Sequence, residues 1–130
     1  MIKKMANRHD QIAYRDLQVW EKSMVLANLV IKAVDEIDAP RKHFRMIEQL
    51  ESAVTSIPMN IAEGKGRNSK KEFIQFLYIS RSSIYETLTL LEIFQQLGWL
   101  SEEKFNDLER QAIEIIKMIK GLINAISRSA

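Results

Sequence analysis

The sequence predicts an all-α protein, an up-down-up-down antiparallel four-helix bundle, and three observations carry that prediction. Four stretches place apolar residues at alternating spacings of three and four, the period of a helix that buries one face. Gly and Pro together number only 6 of 130 residues, too few for the turns of a sandwich or barrel. The segments between the four stretches are short, which makes consecutive helices antiparallel neighbours. Leu, Ile, Val and Phe supply 39 of the 130 residues, enough to build one core in a chain of about one domain's length. The chain divides into a polar N-terminal tail, residues 1–15, and a single bundle domain, residues 16–128.

The first helix is expected to open on Asp16 as N-cap and to run to about Ile37, with a seam of Leu17, Trp20, Met24, Ala27, Ile31 and Val34. Asp38-Ala39-Pro40 ends it, because the residue before a proline is pushed out of helical geometry. The second helix, from about Arg41 to Glu63, continues the pattern in Ile47, Leu50, Val54, Ile57 and Ile61. It contains Pro58, which removes one backbone donor and is expected to kink it. Gly64-Lys65-Gly66-Arg67-Asn68 forms the corner, and Ser69-Lys70-Lys71-Glu72 reads as a capping box opening the third helix. That helix runs to Leu97, where Gly98 supplies a left-handed residue and Trp99 or Leu100 packs back on the last turn. Ser101 with Glu102 and Glu103 starts the fourth helix, whose seam is Phe105, Leu108, Ala112, Ile115, Ile119, Leu122 and Ile126.

Helices one and three carry more apolar residues than one face needs. Beside the main seam of the third helix (Phe73, Phe76, Leu77, Ile84, Leu88, Leu91, Phe94) lies a second band of Ile79, Leu90, Ile93 and Leu97. A third holds Ile74, Tyr78 and Tyr85, and helix one adds Val19, Leu26, Val30 and Ile37. Such residues are either scattered surface positions or contacts between subunits, and their arrangement in contiguous stripes favours an oligomer. Val19, Leu26, Val30, Ile79, Leu90, Ile93 and Leu97 are therefore the expected oligomer interface.

Chemistry is mostly excluded. With no cysteine there is no disulfide scaffold, thiolate metal site or thiol nucleophile, in agreement with a reducing compartment. No apolar run approaches the length of a membrane span. The two histidines, His9 and His43, lack the Glu-x-x-His spacing of a di-iron bundle, and Glu48, Glu51 and Glu63 read as solvated helix acids rather than metal ligands. Ser80, Ser82 and Ser83 have no histidine base beside them and read as small residues at helix contacts. Lys65 sits in Gly-Lys-Gly-Arg, without the spacing or the preceding strand of a phosphate loop. Neither enzymatic activity nor a cofactor, metal or small-molecule substrate is expected.

Charge placement is more informative than the net charge of +2. In the expected topology the tail, the second connection and the C-terminus share one end. Lys3, Lys4, Arg8, Arg15, Lys65, Arg67, Lys70, Lys71, Lys120 and Arg128 gather there against Asp10, Asp16, Glu63 and Glu72, a balance of +6. The opposite end sets Lys32, Arg41, Lys42, Arg45 and Lys104 against seven acids, a balance of −2. The positive end suits phosphate backbones, and Lys65, Arg67, Lys70, Lys71, Lys3, Lys4 and Arg8 are the candidate nucleic-acid contacts.

Several strings are distinctive: Asp16-Leu17-Gln18-Val19-Trp20-Glu21-Lys22, Ser56-Ile57-Pro58-Met59-Asn60-Ile61-Ala62-Glu63-Gly64-Lys65-Gly66-Arg67, Glu72-Phe73-Ile74-Gln75-Phe76-Leu77 and Leu97-Gly98. With Gln49-Leu50 they resemble the four-helix bundle proteins encoded by intervening sequences of bacterial 23S ribosomal RNA genes, over about residues 16 to 126. That family is also similar to the accessory variability determinant of diversity-generating retroelements, a basic pentameric barrel that engages nucleic acid and a reverse transcriptase. The resemblance implies a cytoplasmic homopentamer without catalytic activity, whose partner is RNA, DNA or a protein. Two functions stay open on this footing: binding nucleic acid through the basic end, or holding a protein partner such as a reverse transcriptase as a structural adaptor. Where the family carries Gln-Leu-Arg-Arg this chain has Gln49-Leu50-Glu51-Ser52, so contacts from that part of helix two are not expected. Pro58, Asn60, Glu63 and Gly64 are read as fixing the corner between helices two and three, with Glu63 and Arg67 as a pair across it.

Overall fold

The computed structural model describes residues 13–37 and 43–129, and among them it is all helical. A short 3-10 turn, Ala13–Asp16, precedes four helices: α1 Gln18–Glu36, α2 Phe44–Lys65, α3 Lys70–Gln96 and α4 Glu102–Arg128. Each packs on its neighbours in a closed cycle, α1 on α2, α2 on α3, α3 on α4 and α4 back on α1, with α2 on α3 the most extensive contact. The ends meet as an up-down-up-down bundle requires, since Lys70 Nζ at the start of α3 donates to the Ser129 carbonyl just past the end of α4 at 3.0 Å.

Local chemistry explains the boundaries. Ser69 Oγ accepts from the Glu72 amide at 3.0 Å and donates to Glu72 Oε1 at 3.2 Å, so the cap of α3 is reciprocal through the hydroxyl. Ser101 Oγ caps α4 by accepting from the Lys104 amide at 3.1 Å. After α3, Gly98 has φ +80°, Trp99 N–H donates to Phe94 O at 2.9 Å and Gly98 N–H to Gln95 O at 3.0 Å, the paired bonds of a Schellman motif. The Trp99 ring packs on Phe94 at 5.1 Å and on His43 at 5.0 Å, closing that end. At the start of α1 the expected cap is displaced: Leu17 is the capping residue and makes no side-chain cap bond, because Asp16 is taken up in the 3-10 turn.

The core corrects the assignment of faces. Val19, Leu26 and Val30 on α1 and Leu90 on α3, expected between subunits, are buried inside the single chain, whereas Met24 of the expected main seam is exposed. The inward seam of α1 is Val19, Ser23, Leu26, Val30 and Ala33, spaced four, three, four and three. That of α3 is Leu77, Ser80, Ile84, Thr87, Leu91 and Phe94, spaced three and four throughout. The small polar members carry their own solutions: Ser23 Oγ donates to Trp20 O at 2.7 Å, Thr87 Oγ1 to Ser83 O at 2.8 Å, and Ser80 Oγ crosses to Ile57 O of α2 at 2.9 Å. The hydrogen bond offsets the cost of taking such a hydroxyl out of water, and the small side chain lets the helices approach closely. The α4 seam follows its expected course through Phe105, Leu108, Ala112, Ile115 and Ile119, all buried, and then turns to Ile123, leaving the expected Leu122 and Ile126 half-buried.

Candidate nucleic-acid interface

The corner between α2 and α3 is built on a close approach. A Cβ placed on Gly64 would lie 2.6 Å from Phe76 Cβ and 3.0 Å from Phe73 Cδ1, so only glycine lets the last turn of α2 meet the first turns of α3. Gly66 follows in ordinary right-handed geometry, φ −77°, and its N–H donates to Ala62 O at 3.2 Å. Upstream, Pro58 is buried within a continuous α2, and Asn60 Nδ2 donates to the Ser56 carbonyl at 2.7 Å, adding a side-chain bond one turn back in the stretch the proline weakens. Ser56 Oγ in turn bonds Ser83 Oγ across to α3.

On this frame sit the cations. Arg67 Nη2 pairs with Glu63 Oε1 at 2.7 Å, its Nη1 lies 4.0 Å from Glu72 Oε2, and its guanidinium stands 4.9 Å from the centroid of Phe76. Arg67 is thus a clasp between α2 and α3, its charge partly met by two carboxylates. Lys65 is exposed and extends over the Phe73 ring, with Nζ 5.7 Å from the centroid. Lys71 and Lys120 are exposed, and Lys70 joins the end of α4 through its bond to Ser129. Lys65, Arg67, Lys70 and Lys71 are therefore brought together around one corner, while Lys3, Lys4 and Arg8 lie outside the described residues.

An open cleft of ≈ 450 Å³ flanks the corner, lined by Tyr14, Met59, Ala62, Glu63, Gly66 and Arg67. Tyr14 comes from the 3-10 turn and is held edge-on against Trp20 at 5.1 Å, with the Arg15 guanidinium 6.0 Å from its ring. Sequence reasoning assigned Tyr14 to the tail, because a 3-10 turn does not extend the 3.6-residue period of α1. Among the described residues no group of three or more His, Asp or Glu is placed to hold a metal ion, and no helix is long and apolar enough to cross a membrane.

The profile of the 23S rRNA-intervening sequence protein family matches residues 15–121, which takes in all of α1, α2 and α3 and most of α4. The chain belongs to that family. A crystal structure from Bacteroides thetaiotaomicron, described as a protein with unknown function from the S23 ribosomal protein family, shares the fold at a TM-score of 0.75 and 27% identity, covering 81% of this chain and 97% of that one. No curated protein matches the sequence. The part of the chain that makes the α2–α3 corner lies wholly within the family match.

Proposed function

We propose that this member of the intervening-sequence family is a non-enzymatic, homo-oligomeric bundle that binds RNA or another nucleic acid through its basic α2–α3 end. The observation that carries the reading is the gathering of Lys65, Lys70 and Lys71 at one corner, around an Arg67 whose own charge is held by Glu63 and Glu72. The three lysines are the phosphate contacts and Arg67 chiefly holds the platform on which they stand. Oligomerisation multiplies this positive end. The surface suited to it is the remaining exposed sector of α3, where Tyr78, Ile79, Tyr85, Ile93 and Leu97 fall within about 120° of the helix circumference. The homopentamer that the resemblance implies fits this reading.

The test is a fluorescence anisotropy titration of labelled RNA across a salt series. Replacing Lys65, Arg67, Lys70 and Lys71 by Ala together weakens binding strongly and flattens its salt dependence, by about 0.7 per lost contact in the slope of log K for single strands and about 0.9 for duplex. Binding unchanged in that variant, or none in the native protein, removes the reading. The same apolar sector of α3 supports the second reading, a structural adaptor that holds a protein partner there, which is the survivor of that outcome. Ile79→Lys, at an exposed position, dissociates the oligomer without melting the bundle, whereas Leu90→Lys, at a buried one, unfolds it.

A further inference from the structure

We infer that the cleft beside the α2–α3 corner takes an unpaired base of a single-stranded nucleic acid, with Tyr14 as the face on which it stacks. The inference rests on the nucleic-acid reading above and adds the strand form recognised. Its ground is the chemistry of the lining. Tyr14 supplies an aromatic face at a cleft otherwise walled by the Met59 side chain and the small Ala62 and Gly66. Met59 is 66% exposed, the highest value among the large apolar side chains of the described residues, and it lines this cleft. A polar edge is present too, since Glu63 and Arg67 close one side of the same cleft.

The Tyr14 ring is preorganised: its edge contact with Trp20 fixes it against α1, so stacking a base does not require ordering a free side chain. Arg15 stands over the Tyr14 ring and Arg67 lines the cleft, with Lys65 one residue before Gly66. Arg67 is neutralised in part by Glu63, so the cations left for the phosphates that flank a base in the cleft are Arg15 and Lys65. Duplex DNA or RNA presents its bases stacked and paired, and its backbone engages the lysines without entering the cleft. Base–aromatic stacking tolerates any base, so strand form rather than sequence is what this site discriminates.

The experiment measures the affinity of a short labelled single-stranded RNA and of the same sequence as a duplex, for the full chain and for Tyr14→Ala, Tyr14→Phe and Met59→Ala. Tyr14→Ala is expected to weaken single-strand binding about tenfold, the worth of one stacked base, and to leave duplex binding unchanged. Tyr14→Phe keeps the ring and keeps the affinity. Met59→Ala, at an exposed position with no core to disturb, weakens single-strand binding about threefold, in line with a lost apolar contact. Circular dichroism verifies that each variant is folded, and if Tyr14→Ala is not, Met59→Ala decides alone. Single-strand binding untouched by the substitutions, or lost equally with duplex binding, overturns the cleft while the basic end stands. A native chain that binds neither form overturns both.

Discussion

The two corners that flank α3 each turn on a glycine, and they use it for opposite reasons. At the α2–α3 corner Gly64 is needed for space: its backbone is helical, and any Cβ would collide with Phe76 at 2.6 Å. At the α3–α4 corner Gly98 is needed for conformation: φ is +80°, and nothing lies within 4 Å of where its Cβ would be. The surroundings differ in kind as well. The first corner is a set of cations over phenylalanine rings with an ion-paired arginine, and the second is an aromatic stack of His43, Trp99 and Phe94 followed by acids in the first turn of α4. One corner is packed tightly and charged positively; the other relies on backbone geometry and leads into Glu102 and Glu103.

The largest separation between them is expected from alanine. Gly64→Ala forces apart two backbones that have no slack, since the obstructing atom is itself a Cβ, and destabilises the bundle by about 3 kcal/mol, the upper part of the range for overpacking. Gly98→Ala places Ala in the left-handed region at about 1–2 kcal/mol, offset in part by the reduced entropy of the unfolded chain. Thermal melts at one fixed protein concentration rank the two, and Gly98→Asn recovers part of the second loss but has no counterpart at Gly64. An equal effect at both sites contradicts the distinction between space and conformation.

The helix caps that leave each corner are matched, and so is the expected loss. Ser69→Ala and Ser101→Ala each remove a hydroxyl that accepts a first-turn amide, worth about 1 kcal/mol. The smallest effect is that of Arg67→Ala. Its ion pair with Glu63 is about half exposed and screened by water, and its contact with Phe76 lies at the surface, so together they contribute about 0.5–1 kcal/mol. Urea titration of Arg67→Ala alongside Ser69→Ala checks the order.

The same contrast explains what the sequence discloses. Gly98, Ser69 and Ser101 are legible because their roles are local: a turn beyond a helix or a cap three residues ahead needs no knowledge of the rest of the fold. The α4 seam is legible because its inward positions are large and apolar. In α1 the inward seam passes through Ser23 and Ala33, which a search for large apolar residues skips, so the neighbouring stripe of Met24 and Ile31 looks like the core; in α3 the expected Leu77, Ile84, Leu91 and Phe94 are buried, and the search omits only the Ser80 and Thr87 between them and the buried Leu90. The hydroxyls are buried because a carbonyl one turn back, or across the α2–α3 contact, accepts from them, and that partner cannot be seen in composition. Gly64 reads from sequence as a corner residue, but its reason is a distance to Phe76, twelve residues on. The cleft is a further step removed, assembled by Tyr14 from before α1 and Met59 from within α2.

The most direct test of the account compares the two ends in one binding experiment. Lys65 and Lys71 are changed to Glu in one variant, and Lys32 and Lys104, from the opposite end, in another; the two variants share one net charge, −2 against the native +2. Anisotropy of a labelled single-stranded RNA at about 50 mM salt, where electrostatic binding is strong, reads the affinity of each. Loss of binding in the Lys65/Lys71 variant with near-native binding in the Lys32/Lys104 variant is the predicted result. Equal loss in both variants contradicts a site at the α2–α3 end, because it reports only the change in total charge.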